Sequence, residues 1–72
     1  MSRRYFTLCI REDGQWAPQF GDYSKADVRT EMDLERAHHR AKDMRIVESG
    51  DSQSEINAAV AHLNAMGSEV AL

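Results

Sequence analysis

One cysteine and one proline stand in a chain of 72 residues, and no apolar run approaches the roughly 20 residues that a membrane-spanning helix needs. A lone Cys9 excludes an internal disulfide and a cysteine-rich zinc site, and an unpaired thiol fits a reducing compartment. The start of the chain, Met1 to Tyr5, has no apolar core of the kind a signal peptide carries, so a cytoplasmic location is expected. Lysine and arginine are outnumbered by acids, giving a formal charge of −3 and a pI near 5.5. This balance weighs against binding driven by phosphate neutralisation, which needs clustered cations. Aromatic residues are also scarce, and all of them fall before position 24: Tyr5, Phe6, Trp16, Phe20 and Tyr23, with Pro18 among them.

What is present reads as one small α+β domain over residues 1–72. Phe6, Leu8 and Ile10 alternate with Tyr5, Thr7, Cys9 and Arg11, the period of a strand. Trp16, Pro18 and Phe20 repeat that period after Asp13 and Gly14. A two-residue loop of Asp13 and Gly14 would pair Glu12 with Gln15 and Ile10 with Ala17, turning the two apolar sets apart. A three-residue loop of Glu12, Asp13 and Gly14 pairs Ile10 with Trp16, Leu8 with Pro18 and Phe6 with Phe20, and gives one continuous apolar face. The second register is the expected one, and it sets Arg4 opposite Asp22. Pro18 lacks an N–H for a ladder, so the second strand belongs at an edge and the first at the centre.

Ser24 with Asp27 predicts a helix start, and the helix is expected from about Lys25 to His39. It carries two stripes: Ala26, Thr30, Leu34, Ala37 and Ala41 on one side, Val28 and Met32 nearly opposite. One of them must face outward or serve a contact. Met44 to Glu48 reads as a third strand, and Ser52 with Glu55 caps a second helix carrying Ile56, Ala59, Val60, Leu63 and Met66, with Gly67 as its terminator. Val70 and Leu72 are candidates to dock on the core. The expected fold is ββαβα, a three-stranded sheet in order 2-1-3 with both helices packed on one face. The other face, with Tyr5, Thr7, Cys9, Arg11, Ala17 and Gln19, is expected to stay open.

No residue set forms a catalytic or cofactor signature. His38 and His39 diverge by about 100° on a helix and have no third ligand nearby, so neither metal nor cofactor is expected. Cys9 lacks a neighbouring base, no serine lies in a nucleophile elbow, and a chain this short has little room for a cleft, so the protein is read as a non-enzyme. The surface feature that remains is acidic. Asp27, Glu31, Asp33 and Glu35, with Val28 and Met32 as apolar anchors, form a candidate partner-binding patch suited to a basic protein surface. The alternative is a nucleic-acid-binding accessory role using Tyr5, Arg11, Arg36, Arg40 and Arg45 on the open sheet face and the basic end of the first helix. A homodimer contact through the open face or a free sheet edge is equally compatible.

The runs Tyr5, Phe6, Thr7 and Leu8, then Gly14 and Trp16, then Gln19, Phe20, Gly21, Asp22 and Tyr23, and later Ala41, Lys42, Asp43, Met44, Arg45 and Ile46 resemble a group of short uncharacterised proteins encoded in phage and prophage genomes. The likeness covers most of the chain and transfers no site residue. It implies a phage setting, in which small acidic α/β proteins include inhibitors of host defences such as anti-CRISPR proteins. The expected partner is then a host protein, bound in the host cytoplasm.

Overall fold

A computed structural model describes residues 3–70, with side chains through residue 66. Its elements are β1 (Arg4–Glu12), β2 (Gln15–Asp22), α1 (Lys25–Glu35), β3 (Met44–Gly50) and α2 (Gln53–Val70), with a 3₁₀ turn at Ala41–Asp43 before β3. The sheet has the order β2-β1-β3 and is antiparallel throughout. The expected ββαβα order, the central first strand and the edge position of the Pro18 strand all hold.

The hairpin register differs from expectation. Glu12 pairs with Gln15, Arg11 with Trp16 and Ile10 with Ala17, the register of a two-residue turn. Asp13 and Gly14 both take positive φ, 53° and 78°, which is the requirement of a type I′ turn and matches the twist of the flanking strands. Cys9 then pairs with Pro18, and a bulge at Gln19 brings Leu8 opposite Phe20. Across this one extra residue β2 changes face. Trp16 and Pro18 lie on the Cys9 side, whereas Phe20 lies on the Leu8 side. Arg4 does not meet Asp22, which pairs with Phe6; its guanidinium lies 3.4 Å from Glu48 on β3.

The helices consequently do not share a face. On one side Leu8 and Ile10 of β1 and Met44 of β3 close over Val28 of α1, with Phe6, Phe20, Met32 and Ile46 packed around them. On the other side Cys9 and Trp16 close over Leu63 of α2, with Val47 and Val60. The sheet face expected to be open is covered by α2. Thr7, Leu8, Cys9 and Ile10 are all buried, because both parities of β1 now have a helix above them.

Helix starts follow the caps. Ser24 Oγ accepts from Asp27 N at 3.2 Å, and Ser52 Oγ accepts from Glu55 N at 3.2 Å while donating to its carboxylate at 2.6 Å. Helix ends do not follow expectation. α1 stops at Glu35 rather than His39, tightening through the bonds Arg36 N to Asp33 O and Ala37 N to Leu34 O. A tertiary anchor competes there: Arg11 of β1 donates to Asp43 Oδ1 at 2.9 and 3.1 Å and to Lys42 O, pinning the 3₁₀ turn against the end of the sheet. At the other end of the chain α2 continues through Gly67, the expected stop. Docking of Val70 and Leu72 lies outside the described side chains.

Candidate functional site

The acidic patch was expected to combine four carboxylates with Val28 and Met32. Val28 is fully buried in the core and Met32 packs partly buried against it, so burial removes this pair from an outward role. Of the two stripes on α1, it is Ala26, Thr30 and Leu34 that faces solvent. Leu34 is 64% exposed, more than any other large apolar residue described. The helical wheel had placed Leu34 on one of two candidate stripes, and amphipathicity alone did not rank them. The stripe with the β-branched and the longer side chain won the core, where it fills more volume.

Asp27 and Asp33 are exposed, and Glu31 and Glu35 are half-buried. Asp33 receives Arg36 Nε at 3.0 Å, an i,i+3 pair, and Glu35 lies 3.6 Å from His39 Nε2, an i,i+4 pair. An exposed helical pair such as Arg36–Asp33 contributes about 0.3–0.5 kcal/mol and breaks readily for a better partner. The four acids share α1 with an exposed leucine.

Of the residues of the nucleic-acid alternative, Arg11 and Arg45 converge on the Trp16 ring, while Arg36 and Arg40 lie beyond the end of α1 and Tyr5 at the start of β1. Arg11 is committed to Asp43 and lies 5.1 Å over the Trp16 ring, and Arg36 pairs with Asp33. Arg45 sits 6.0 Å over the same indole from the neighbouring strand. Tyr5 is half-buried, meets Tyr23 edge-on at 5.1 Å, and lies so close to Gly21 that a Cβ there would strike its ring. With α2 over this face, the stacking platform it was meant to supply is absent. Tyr23 in turn donates to Asp51 Oδ2 at 3.0 Å, a bond that raises its phenol above the ordinary value.

Among the described residues no group of three or more His, Cys, Asp or Glu side chains converges as a metal site, and no helix is long and apolar enough to cross a membrane. A pocket of about 250 Å³ lies beside the bulge, lined by Tyr5, Gln19, Gly21, Gln53 and Ile56 among others. Thr7 also borders it, and its Oγ1 has no hydrogen-bond partner among the described residues. That oxygen is sealed beneath its neighbours, so it presents nothing to a ligand in the pocket.

Cys9 is fully buried beneath α2, and burial pushes its thiol above the ordinary 9.0. A raised thiol pKa means that the folded state keeps its proton where the unfolded chain loses it. The resulting contribution to stability is complete below pH 9 and falls as pH rises beyond it. We expect Cys9 to resist an aromatic disulfide reagent in native buffer and to react at the rate of a free thiol in denaturant. Rapid stoichiometric modification of the folded protein would show that α2 does not seal this face.

Against this geometry, comparison with protein-family models, with curated proteins and with solved structures returned no match.

Proposed function

We propose that this chain is a small non-enzymatic binding protein that covers a basic surface of another protein with the outer face of α1. The observation that carries the reading is Leu34, an exposed apolar side chain on a helix that also carries Asp27, Glu31, Asp33 and Glu35. Burying a leucine in a partner's pocket stabilises a complex by about 1.5–3 kcal/mol, while the surrounding carboxylates set orientation and speed encounter. Val28 and Met32 support the patch from beneath by fixing the helix on the sheet.

The resemblance to phage and prophage proteins supplies the setting. The partner is a host protein whose basic surface ordinarily holds nucleic acid, occluded in the cytoplasm in the manner of a host-defence inhibitor such as an anti-CRISPR protein. Capture from host lysate with the wild-type chain, identified by mass spectrometry, is expected to yield such a protein. Leu34→Asp, and separately the reversal of Asp27, Glu31, Asp33 and Glu35 to lysine, are expected to weaken its capture at least about tenfold with the circular dichroism spectrum unchanged. Equal capture by all three chains would remove α1 as the docking surface.

A further inference from the structure

The two edges of the sheet are treated differently. On β2, Pro18 withholds a donor, the bulge at Gln19 interrupts the ladder, and Asn64 of α2 reaches over to bind the backbone of Trp16 at both its N–H (2.7 Å) and its C=O (3.0 Å). These are recognised ways of closing an edge against further strands. β3 has none of them. Its seven residues keep an unbroken register with β1 from Met44 to Gly50, and they include no proline, lysine or bulge. Among the described residues, no loop or turn backbone hydrogen bond reaches Arg45–Ser49. A regular strand is left with one side of its backbone unpaired.

The helix beside that edge is equally bare. α1 carries Lys25, Asp27, Arg29, Glu31, Asp33 and Glu35, whereas α2 from Ile56 to Met66 contains no acid, lysine or arginine. Its flank toward β3 presents Ala58, His62 and Met66, the last 44% exposed, above a groove of about 470 Å³ floored by Val47 and Leu63 and also lined by Arg45 and Glu48 of β3. A helix flank without charge over an apolar floor, with the charged residues confined to the strand, is the composition of a homodimer interface rather than of a solvated helix face.

We propose that β3 and this flank of α2 pair with a second copy of the chain about a two-fold axis. Antiparallel pairing of β3 centred on Val47 sets Val47 against itself, Arg45 opposite Ser49 and Ile46 opposite Glu48, so no like charges meet. On the helices the same axis near His62 sets Ala58 opposite Met66, since the two lie four residues either side of it. Val47 and His62 both line the one groove, so a single axis serves strand and helix together. Each copy offers a small residue and a groove to the methionine of the other, and the self-complementarity selects a second copy over an unrelated strand. The product is a continuous six-stranded sheet with β2 at both outer edges. α1 lies on the opposite face, so the dimer is independent of the partner reading above.

The test is the mass in solution. Light scattering after size exclusion at about 100 µM is expected to give twice the 8.2 kDa chain mass. Ala58→Glu and Met66→Lys, both at exposed positions where folding is spared, are expected to return it to the single-chain value with helix content unchanged. His62→Cys is expected to form an intermolecular disulfide on mild oxidation, while the lysine reversal of the α1 acids leaves the mass doubled. A single-chain mass for the wild type overturns the proposal. So does a dimer that survives both α2 variants and leaves His62→Cys uncrosslinked, which would place the contact elsewhere.

Discussion

Replacing Leu8 with alanine is expected to leave the chain largely unfolded at room temperature. Leu8 is fully buried at the middle of the central strand, opposite Phe20 on one neighbour and Ile46 on the other, with Val28 of α1 above it. Truncating such a leucine costs about 2–5 kcal/mol, the spread reflecting how far the site collapses. A domain of this size holds roughly 3–5 kcal/mol in all. The two quantities are comparable, so the urea transition should move to the foot of the denaturant axis and the circular dichroism signal should fall in plain buffer. Leu8→Met, which conserves volume, should cost under about 1.5 kcal/mol and refold normally. An alanine variant with the wild-type urea midpoint would show that the α1-side core is not the main store of stability.

The second large effect is expected from Asn64→Ala. One side-chain amide satisfies both backbone groups of Trp16 that point away from β1, acting as a substitute strand for the edge. Its loss leaves a partly buried donor and acceptor unpaired, at about 1–3 kcal/mol. It also frees α2 from the end of the hairpin that carries the indole. Trp16, only 8% exposed, should then shift its emission to longer wavelength before global unfolding begins. Asn64→Asp keeps the acceptor for Trp16 N–H and loses the donor to its C=O, so its effect should fall between wild type and alanine. Unchanged emission in both variants would mean that Leu63 and Val60 hold the helix without the clamp.

The alternation of Phe6, Leu8 and Ile10, the edge position that Pro18 demands, and the two serine caps were legible because each rests on local chemistry. The facing of the helices was not. A three-residue turn gathers Trp16 and Phe20 with Leu8 on a single face, whereas Asp13 and Gly14 favour the shorter turn for a reason of backbone geometry alone. The bulge at Gln19 reconciles them by letting β2 serve both faces, and a bulge leaves little mark in a sequence. The width of the sheet also favours one helix on each face. Three strands about 4.8 Å apart span roughly 10 Å, and two helices side by side need about twice that. Thr7 and Cys9, small and uncharged on the second parity, were the residues that accommodate the other helix.

In the candidate site, the acids on α1 were legible as charges, and the choice between Leu34 and Val28 as the apolar member was not. Both stripes satisfy the helical period, and only the volume available above Leu8 and Met44 decides which one turns inward. The lack of acid, lysine and arginine in α2 from Ile56 to Met66 is visible as composition. Its significance depended on finding β3 bare beside it.

Chain order adds a consequence to the placement of α2. The ribosome delivers β1, β2, α1 and β3 before the last helix, so the α1-side core can close while Cys9, Trp16 and Val47 still face water. During that interval the nascent sheet exposes an apolar face and two open edges at once, the combination most prone to wrong association. Arrival of α2 covers the face with Leu63 and caps the backbone of Trp16 on the β2 edge with Asn64. Closure of the second core thereby waits on the last helix of the chain, and the sheet's second apolar face stays bare until that helix arrives.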